Sequence, residues 1–372
     1  MRLKPDCRHF PGDRPCDIHK RTGVHCDTCT EYSPRGQRIL VIKFDALGDV
    51  LRTTCLLPSL KKKYPQSSIV WLTRSNAVSL FENNPLVDDV WRAEDPTTLS
   101  RLDVMEFDLM IHPDASPASA AFAQRASARE RLGFGLNPDG SIRCYNAEAE
   151  PWLEMGAFDD LKKANRKTYQ QIIHDIARLP YERSEIMVTL SEPEKRMTAG
   201  FRSRHKLERF PLLVGLNTGA GGRWQFKKWT LDGYRELIRR LISDLKCGVL
   251  LYGGPEEVER NHELAAISPD VIDTGTNNSV REFFALVDLC DILVTGDTMA
   301  LHVATALKKQ VVCLFGPTSA NEIDDYGRIQ KIQPDLDCLV CYKMECDFVP
   351  NCMESIRVDM VMDAICRAEA SL

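Results

Sequence analysis

Short apolar runs alternate along this chain with longer stretches whose apolar residues recur at helical spacing. In the first half the runs are Arg38–Phe44, Ile69–Leu72, Asp89–Trp91 and Leu109–Ile111. Between and after them, Val50–Tyr64 (stopped by Pro65), Ala118–Arg129 and Arg166–Leu179 read as helices. A second series begins at Pro211, with runs at Leu212–Leu216, Val249–Tyr252, Val271–Ile272, Leu289–Val294 and Val311–Phe315. Leu231–Leu245, Val280–Val287 and Ala300–Leu307 are its helices. Near-continuous apolar strands alternating with helices predict mostly parallel sheets covered on both faces. The segment 136–163 has poor periodicity, and a charged stretch, 192–208, is read as holding the linker. The expected division is a Cys-rich leader over 1–37, one Rossmann-like domain over 38–195, a linker over 196–210, and a second such domain over 211–372.

Composition narrows the function classes. A hydrophobic content of 44% with 27% charged residues is that of a globular protein. A net charge of −5 gives no footprint of a nucleic-acid binder. No apolar run approaches a membrane span and the N-terminal segment is polar, so a cytoplasmic location is expected. Neither half carries G-x-G-x-x-G after its first strand, and no P-loop is present, which argues against nicotinamide and ATP chemistry.

The chemistry-bearing residues gather where strands give way to helices. Asp297-Thr298-Met299-Ala300-Leu301-His302 follows one strand and opens a helix whose first N–H groups suit a phosphate. Gly316-Pro317-Thr318 forms the turn after the next strand. After the first strand of the chain comes Leu47-Gly48-Asp49-Val50, with Gly48 allowing close backbone approach and Asp49 at a helix start. An aspartate there is also a common helix cap, and Asp45 is an alternative acid in the same loop. The loop 217–229 combines Thr218, three glycines, Lys227, Lys228 and Trp229. Gly253-Gly254-Pro255 precedes Glu256 and Glu257.

These motifs, in this order, resemble glycosyltransferase family 9, the lipopolysaccharide heptosyltransferases, over roughly residues 38–360. The resemblance rests on L-G-D-V, N-x-G…K-x-W, G-G-P-E-E and D-T-x-x-x-H followed by L-F-G-P-T. It implies an α/β protein of the GT-B type, with two Rossmann-like domains facing a cleft. It also implies an inverting, metal-independent enzyme that moves a sugar, heptose from ADP-heptose, to a lipopolysaccharide core or related glycan. Asp49 is then the base, with Gly48 and Arg52 as acceptor or cleft residues. Thr218, Lys227, Lys228, Glu256, Asp297, Thr298 and His302 are the donor-binding candidates, Lys227 being preferred over Lys228 for the phosphate. Glu256 and Glu257 are not separated. Met299 stands where the family has glycine, which conflicts with any need for positive φ. Alternatives from other classes are a sugar-nucleotide epimerase or hydrolase, and a noncatalytic sugar-nucleotide binder.

Fourteen cysteines are many for a reducing compartment. In the leader, Cys7, Cys16, Cys26 and Cys29 have the makings of a structural zinc site, and an iron–sulfur cluster would use the same ligands. The second cluster, Cys338, Cys341, Cys346 and Cys352, is read as thiols packing a loop. Catalysis itself is expected to need no cofactor. The expected partners are a nucleoside-diphosphate sugar and a lipid-linked or glycan acceptor, with no nucleic acid. Basic residues at 61–63, at 125, 129 and 131, and at 162, 163, 166 and 167 motivate a peripheral contact with the inner membrane.

Overall fold

The computed structural model describes residues 2–222 and 225–372. The chain forms two six-stranded sheets. In the first half the strands are β1 (Arg38–Ile42), β2 (Ser68–Thr73), β3 (Asp89–Arg92), β4 (Glu106–His112), β5 (Ser127–Leu136) and β6 (Ile142–Cys144), ordered β3-β2-β1-β4-β5-β6. All neighbours are parallel except β5 and β6. The second half has β7 (Leu213–Asn217), β8 (Gly248–Tyr252), β9 (Val271–Asp273), β10 (Ile292–Gly296), β11 (Gln310–Leu314) and β12 (Ile329–Ile332). Their order, β12-β11-β10-β7-β8-β9, repeats the pattern of the first sheet, and every pair is parallel. Each sheet therefore reverses its winding beside its first strand, and open α/β sheets bind ligands outside the carboxyl ends at that switch point.

The expected strands are present, and the departures are local. The helix predicted over Val50–Tyr64 is two, Leu47–Thr53 and Leu56–Lys63. The helix predicted over Ala118–Arg129 ends at Arg125, and β5 begins at Ser127, in register with β4. The segment 136–163 contains β6 and the helices Glu150–Ala157 and Asp159–Ala164. The charged stretch read as linker forms the helix Glu192–Arg204, with Ser191 capping it and Glu194 completing a capping box.

One apolar cluster runs from the first half into the second. It joins Ile39, Val41 and Trp71 with Leu250, Tyr252, Phe284 and Leu301, and it includes Leu51 and Leu56. Helices Leu47–Thr53 and Met299–Ala306 pack directly on each other. Segment 181–194 adds polar staples across the same junction. Tyr181 and Arg183 both bind Asp324, Arg328 pairs with Glu185 at 2.8 Å, and Arg281 pairs with Glu194 at 2.7 Å. Met187 N–H donates to Thr54 Oγ1 of the first half at 2.9 Å.

The leader folds against the edge of the first half. Arg8 donates to the Gln66 and Ser67 carbonyls and pairs with Asp88 at 3.3 Å. Cys7, Cys16, Cys26 and Cys29 line one cavity of about 480 Å³ together with His9, His19 and His25. Among the described residues, however, no three His, Cys, Asp or Glu side chains converge closely enough to hold a metal ion. Two of the groups have other work: Cys16 Sγ caps the helix Asp17–Thr22 through His19 N–H, and His19 Nδ1 lies 2.9 Å from the Val24 carbonyl. In this conformation the four thiols share one cavity without three of them converging on a single point.

Candidate active site

The carboxyl ends of β1, β7, β8, β10 and β11 open onto a cleft of about 760 Å³ between the halves. On its first wall, Lys43 at the end of β1 is buried and donates to Asp114 Oδ1 at 3.1 Å and to the Asp45 carbonyl. Asp114 also accepts from Phe44 N–H at 3.1 Å, so an internal ion pair shapes the turn that starts the next helix. Ala46 is the cap of that helix and Asp49 its third residue, whose carboxylate reaches back to Ala46 N–H at 3.3 Å. Asp49 is thus not the capping residue itself, and its side chain keeps 35% of its exposure. Asp45 pairs instead with Arg74 at 2.9 Å, away from the residues that line the cleft.

Arg52, one turn along, places Nε 2.9 Å from Asp49 Oδ1, at ion-pair distance but without hydrogen-bond alignment. Its guanidinium stacks 3.7 Å from the Tyr169 ring centroid, and the Tyr169 hydroxyl lies 2.7 Å from Thr53 Oγ1. Burial alone would raise the Asp49 carboxyl, but Arg52 and Lys43 outweigh it and hold it below the ordinary carboxylate value. Asp49 is therefore an anion at neutral pH, held among cations and open to the cleft.

The second wall is built from the β7 and β10 turns. Lys227 Nζ donates to Asp297 Oδ2 and to the Asp297 carbonyl, each at 2.9 Å. Burial opposes ionisation of Asp297, yet Lys227 prevails and lowers it to about 2. Thr298 caps the helix Met299–Ala306 through Ala300 N–H, leaving the positive end of that helix at the cleft. Met299 is an ordinary first helical residue and is not among the positive-φ positions, so its replacement of glycine costs no backbone strain. His302 lies one turn later. Burial, reinforced by Arg52, lowers its imidazole to about 4, so it is neutral at physiological pH. The Asp297 and Asp49 anions thus owe their stability to Lys227, Arg52 and Lys43 rather than to a charged His302.

The glycine loop 219–221 and Gly253–Glu257 close the cleft on this side. A Cβ on Gly219 would stand 2.4 Å from the Glu257 carboxyl carbon, so glycine is required for the acid to pack there. Two expected donor residues do not reach the cleft lining. Thr218 is fully buried and donates to Asn261 Oδ1 at 2.6 Å. Lys228 pairs with Glu257 at 3.0 Å and Glu256 at 3.6 Å. Gly48, Asp49, Arg52, Lys227, Glu256, Glu257, Asp297, Thr298 and His302 all line it.

Sequence reasoning missed Glu322 and Tyr342. The loop holding the second cysteine cluster is strapped onto the Gly316–Pro317 turn by Val340 N–H and Tyr342 N–H, at 3.1 and 2.8 Å. That strap swings the Tyr342 hydroxyl to Glu322 Oε1 at 2.7 Å. Burial pushes the Glu322 carboxyl above its ordinary value despite the pull of Arg52. Of the four cysteines in this loop, Cys352 is buried against Gly316, and burial with its thiol neighbours raises it to about 11. Cys338, Cys341 and Cys346 remain half-buried.

With this geometry in hand, likeness to known proteins is informative. The model of "Glycosyltransferase family 9 (heptosyltransferase)" matches residues 99–351. The chain is 24% identical over 291 residues to a putative glycosyltransferase of Haemophilus influenzae, covering 73% of this chain and 80% of that one. It is 25% identical over 309 residues to lipopolysaccharide heptosyltransferase 2 of Escherichia coli, covering 76% and 83%. Among solved structures, the glycosyl transferase family 9 protein of Veillonella parvula superposes with a TM-score of 0.71 at 17% identity, covering 90% of this chain and 98% of that one. Two facing Rossmann-like sheets and a family match over most of the chain leave one assignment: this protein is a glycosyltransferase and belongs to glycosyltransferase family 9.

Proposed function

We propose that the protein transfers heptose from ADP-heptose to a lipopolysaccharide core or a closely related glycan, with inversion at the anomeric carbon. The supporting observation is that Asp49 from one half faces Lys227, Asp297 and the start of helix Met299–Ala306 from the other across a single cleft. In this reading the acceptor hydroxyl attacks the anomeric carbon as its proton passes to Asp49. The bond to the diphosphate breaks on the opposite face. Lys227 and the N–H groups of that helix start stabilise the charge growing on the leaving oxygen. Arg52 keeps Asp49 ionised and oriented, and Lys43 with Asp114 fixes the turn beneath it. The heptose and lipopolysaccharide assignments rest on the name of the Escherichia coli relative and on the motifs in the sequence.

Purified protein incubated with ADP-heptose, with and without lipopolysaccharide from a heptose-deficient strain, tests this. Release of ADP should depend on the acceptor. Consumption of donor alone at full rate would point to a hydrolase or epimerase, and binding without turnover to a sensor.

The acceptor's lipid would bring the protein to the inner-membrane surface, and we place that contact at residues 158–167. Phe158 is 56% exposed and Leu161 37% exposed, beside Lys162, Lys163, Arg166 and Lys167. Lys61 pairs with Asp88, Lys62 with Glu182, Arg125 with Asp103 and Arg129 with Asp108; within 158–167, Lys162 pairs with Asp159 and Lys167 with Asp175, while Lys163 and Arg166 have no carboxylate partner among the described residues. Among the described residues no helix is long and apolar enough to cross a membrane.

A further inference from the structure

A second cavity, of about 450 Å³, adjoins the cleft and shares Arg52, Glu322 and Tyr342 with it. Its floor is apolar and comes from helix Glu150–Ala157, chiefly Trp152, Leu153 and Met155. The volume lies within the range of about 300–1,000 Å³ that small-ligand sites occupy. We propose that this cavity is the acceptor subsite, holding a sugar ring against Trp152 with an anionic substituent, carboxylate or phosphate, between Arg52 and Lys162. The inference rests on the glycosyltransferase reading and extends it to acceptor recognition.

Three observations carry it. The first is continuity with the base. Trp152 meets the Tyr169 ring edge-to-face at 5.6 Å, Arg52 stacks on the other part of that ring, and Arg52 is the ion-pair partner of Asp49. A ligand filling the cavity as far as Arg52 is therefore one side chain away from Asp49. The second is the chemistry of the walls: an apolar aromatic floor with polar groups at one rim suits a saccharide, whose ring faces are apolar and whose edges are polar. The third is the rim charge. Arg52 is buried, and its Nε has no aligned hydrogen-bond partner. Lys162 Nζ sits over the Tyr342 ring, 4.7 Å from its centroid, and its ion pair with Asp159 at 3.2 Å involves a largely exposed carboxylate. Such a pair is weak, so the ammonium retains capacity for an anion. Glu322, held by Tyr342, offers a carboxyl to a sugar hydroxyl at the boundary between the two cavities.

The test uses the full chain with ADP-heptose and core oligosaccharide from a heptose-deficient strain. Leu153→Arg fills the cavity and Trp152→Ala removes its platform. Each should raise the acceptor KM by about tenfold or more while leaving the Kd for ADP within about twofold. Lys162→Ala should raise the acceptor KM by about fivefold, and Lys162→Arg should restore it. That Lys162→Ala penalty should vanish with carboxyl-reduced core if the anion is a carboxylate, or with dephosphorylated core if it is a phosphate. Persistence of the penalty with both would overturn the anion assignment. An unchanged acceptor KM in Leu153→Arg would overturn the subsite. Should the wild type transfer no heptose, the functional reading fails, and calorimetric binding of the core oligosaccharide then decides. Binding lost in Leu153→Arg would sustain the cavity as a saccharide site, whereas equal binding, or none by the wild type, would refute it.

Discussion

Replacing Gly48 with alanine separates the local from the interdomain demands on the helix that carries Asp49. A Cβ at position 48 would stand 2.8 Å from His302 Cδ2 and 3.5 Å from both His302 Nε2 and Met299 Cα. Carbon atoms in contact prefer about 3.5–4.0 Å, so the imidazole must recede by about 0.7–1.2 Å. His302 is buried on a helix whose Leu301 and Val303 belong to the shared core, which leaves the ring little room to move without parting the halves. Overpacking of this kind costs about 1–3 kcal/mol, which becomes a loss of about 5- to 160-fold in kcat/KM if it falls on the assembled cleft. Within the helix itself alanine is the better residue, by about 1 kcal/mol. A loss of activity would therefore come from the contact with His302 and not from the helix's own propensity. The assay is kcat/KM for heptose transfer, with ADP affinity and Tm measured alongside. The control is the same substitution in a His302→Ala background, where the obstructing ring is gone and the penalty should disappear. Wild-type activity in Gly48→Ala, or an equal loss in both backgrounds, would refute the reasoning.

Asp49→Asn should lower kcat by about 10²-fold or more with ADP affinity nearly intact, since the amide keeps the shape but cannot take a proton; stopped assays and calorimetry report the two quantities. Lys227→Ala removes the partner that holds Asp297 ionised and should weaken ADP binding by about tenfold or more, read by calorimetric titration. Buried His112 and His302 have folded values near 4 against 6.5 for the free group, both through burial. The unfolded chain binds more protons between those values, so the stabilisation is complete above 6.5 and is lost as pH falls towards 4. Urea midpoints should accordingly drop between pH values of about 7.5 and 5, and an unchanged midpoint would contradict the sign. Phe158→Asp should reduce co-sedimentation with vesicles containing anionic lipid, while salt should weaken wild-type binding.

The architecture was readable because its strands are short apolar runs bounded by turn residues, and both sheets follow from their alternation with helices. What escaped was decided by pairing rather than by local pattern. The alanine-rich stretch 118–129 reads as helix throughout, yet Ala128 pairs with Phe107 and its end joins the sheet. Ile142–Cys144 is too short and polar to announce a strand before β5 lies beside it. The site divides in the same way. Asp49, Lys227, Asp297 and His302 sit in the turns after strands or in the first helical turns that follow, where spacing marks them. Thr218, just past the end of β7, and Lys228, just past the single helical turn Gln225–Lys227, share their motifs with cleft residues yet face inward to Asn261 and Glu257. Glu322 and Tyr342 meet only through the strap onto Gly316–Pro317, a contact with no trace in either segment's residue pattern.

The apolar cluster that passes from the first sheet to the second has an evolutionary and practical consequence. Proteins built from separable modules can be recombined, because each module brings a finished surface to the joint. Here the joint is interior: Leu51, Leu56, Phe284 and Leu301 share one cluster. A cut between the sheets would leave each fragment with a bare apolar face and no partner to cover it. Exchanging a whole half with a distant relative would therefore have to carry over the matching face of the other half. Diversification of substrate preference is consequently channelled into the loops and short helices at the rim, where a change does not have to be matched across the joint.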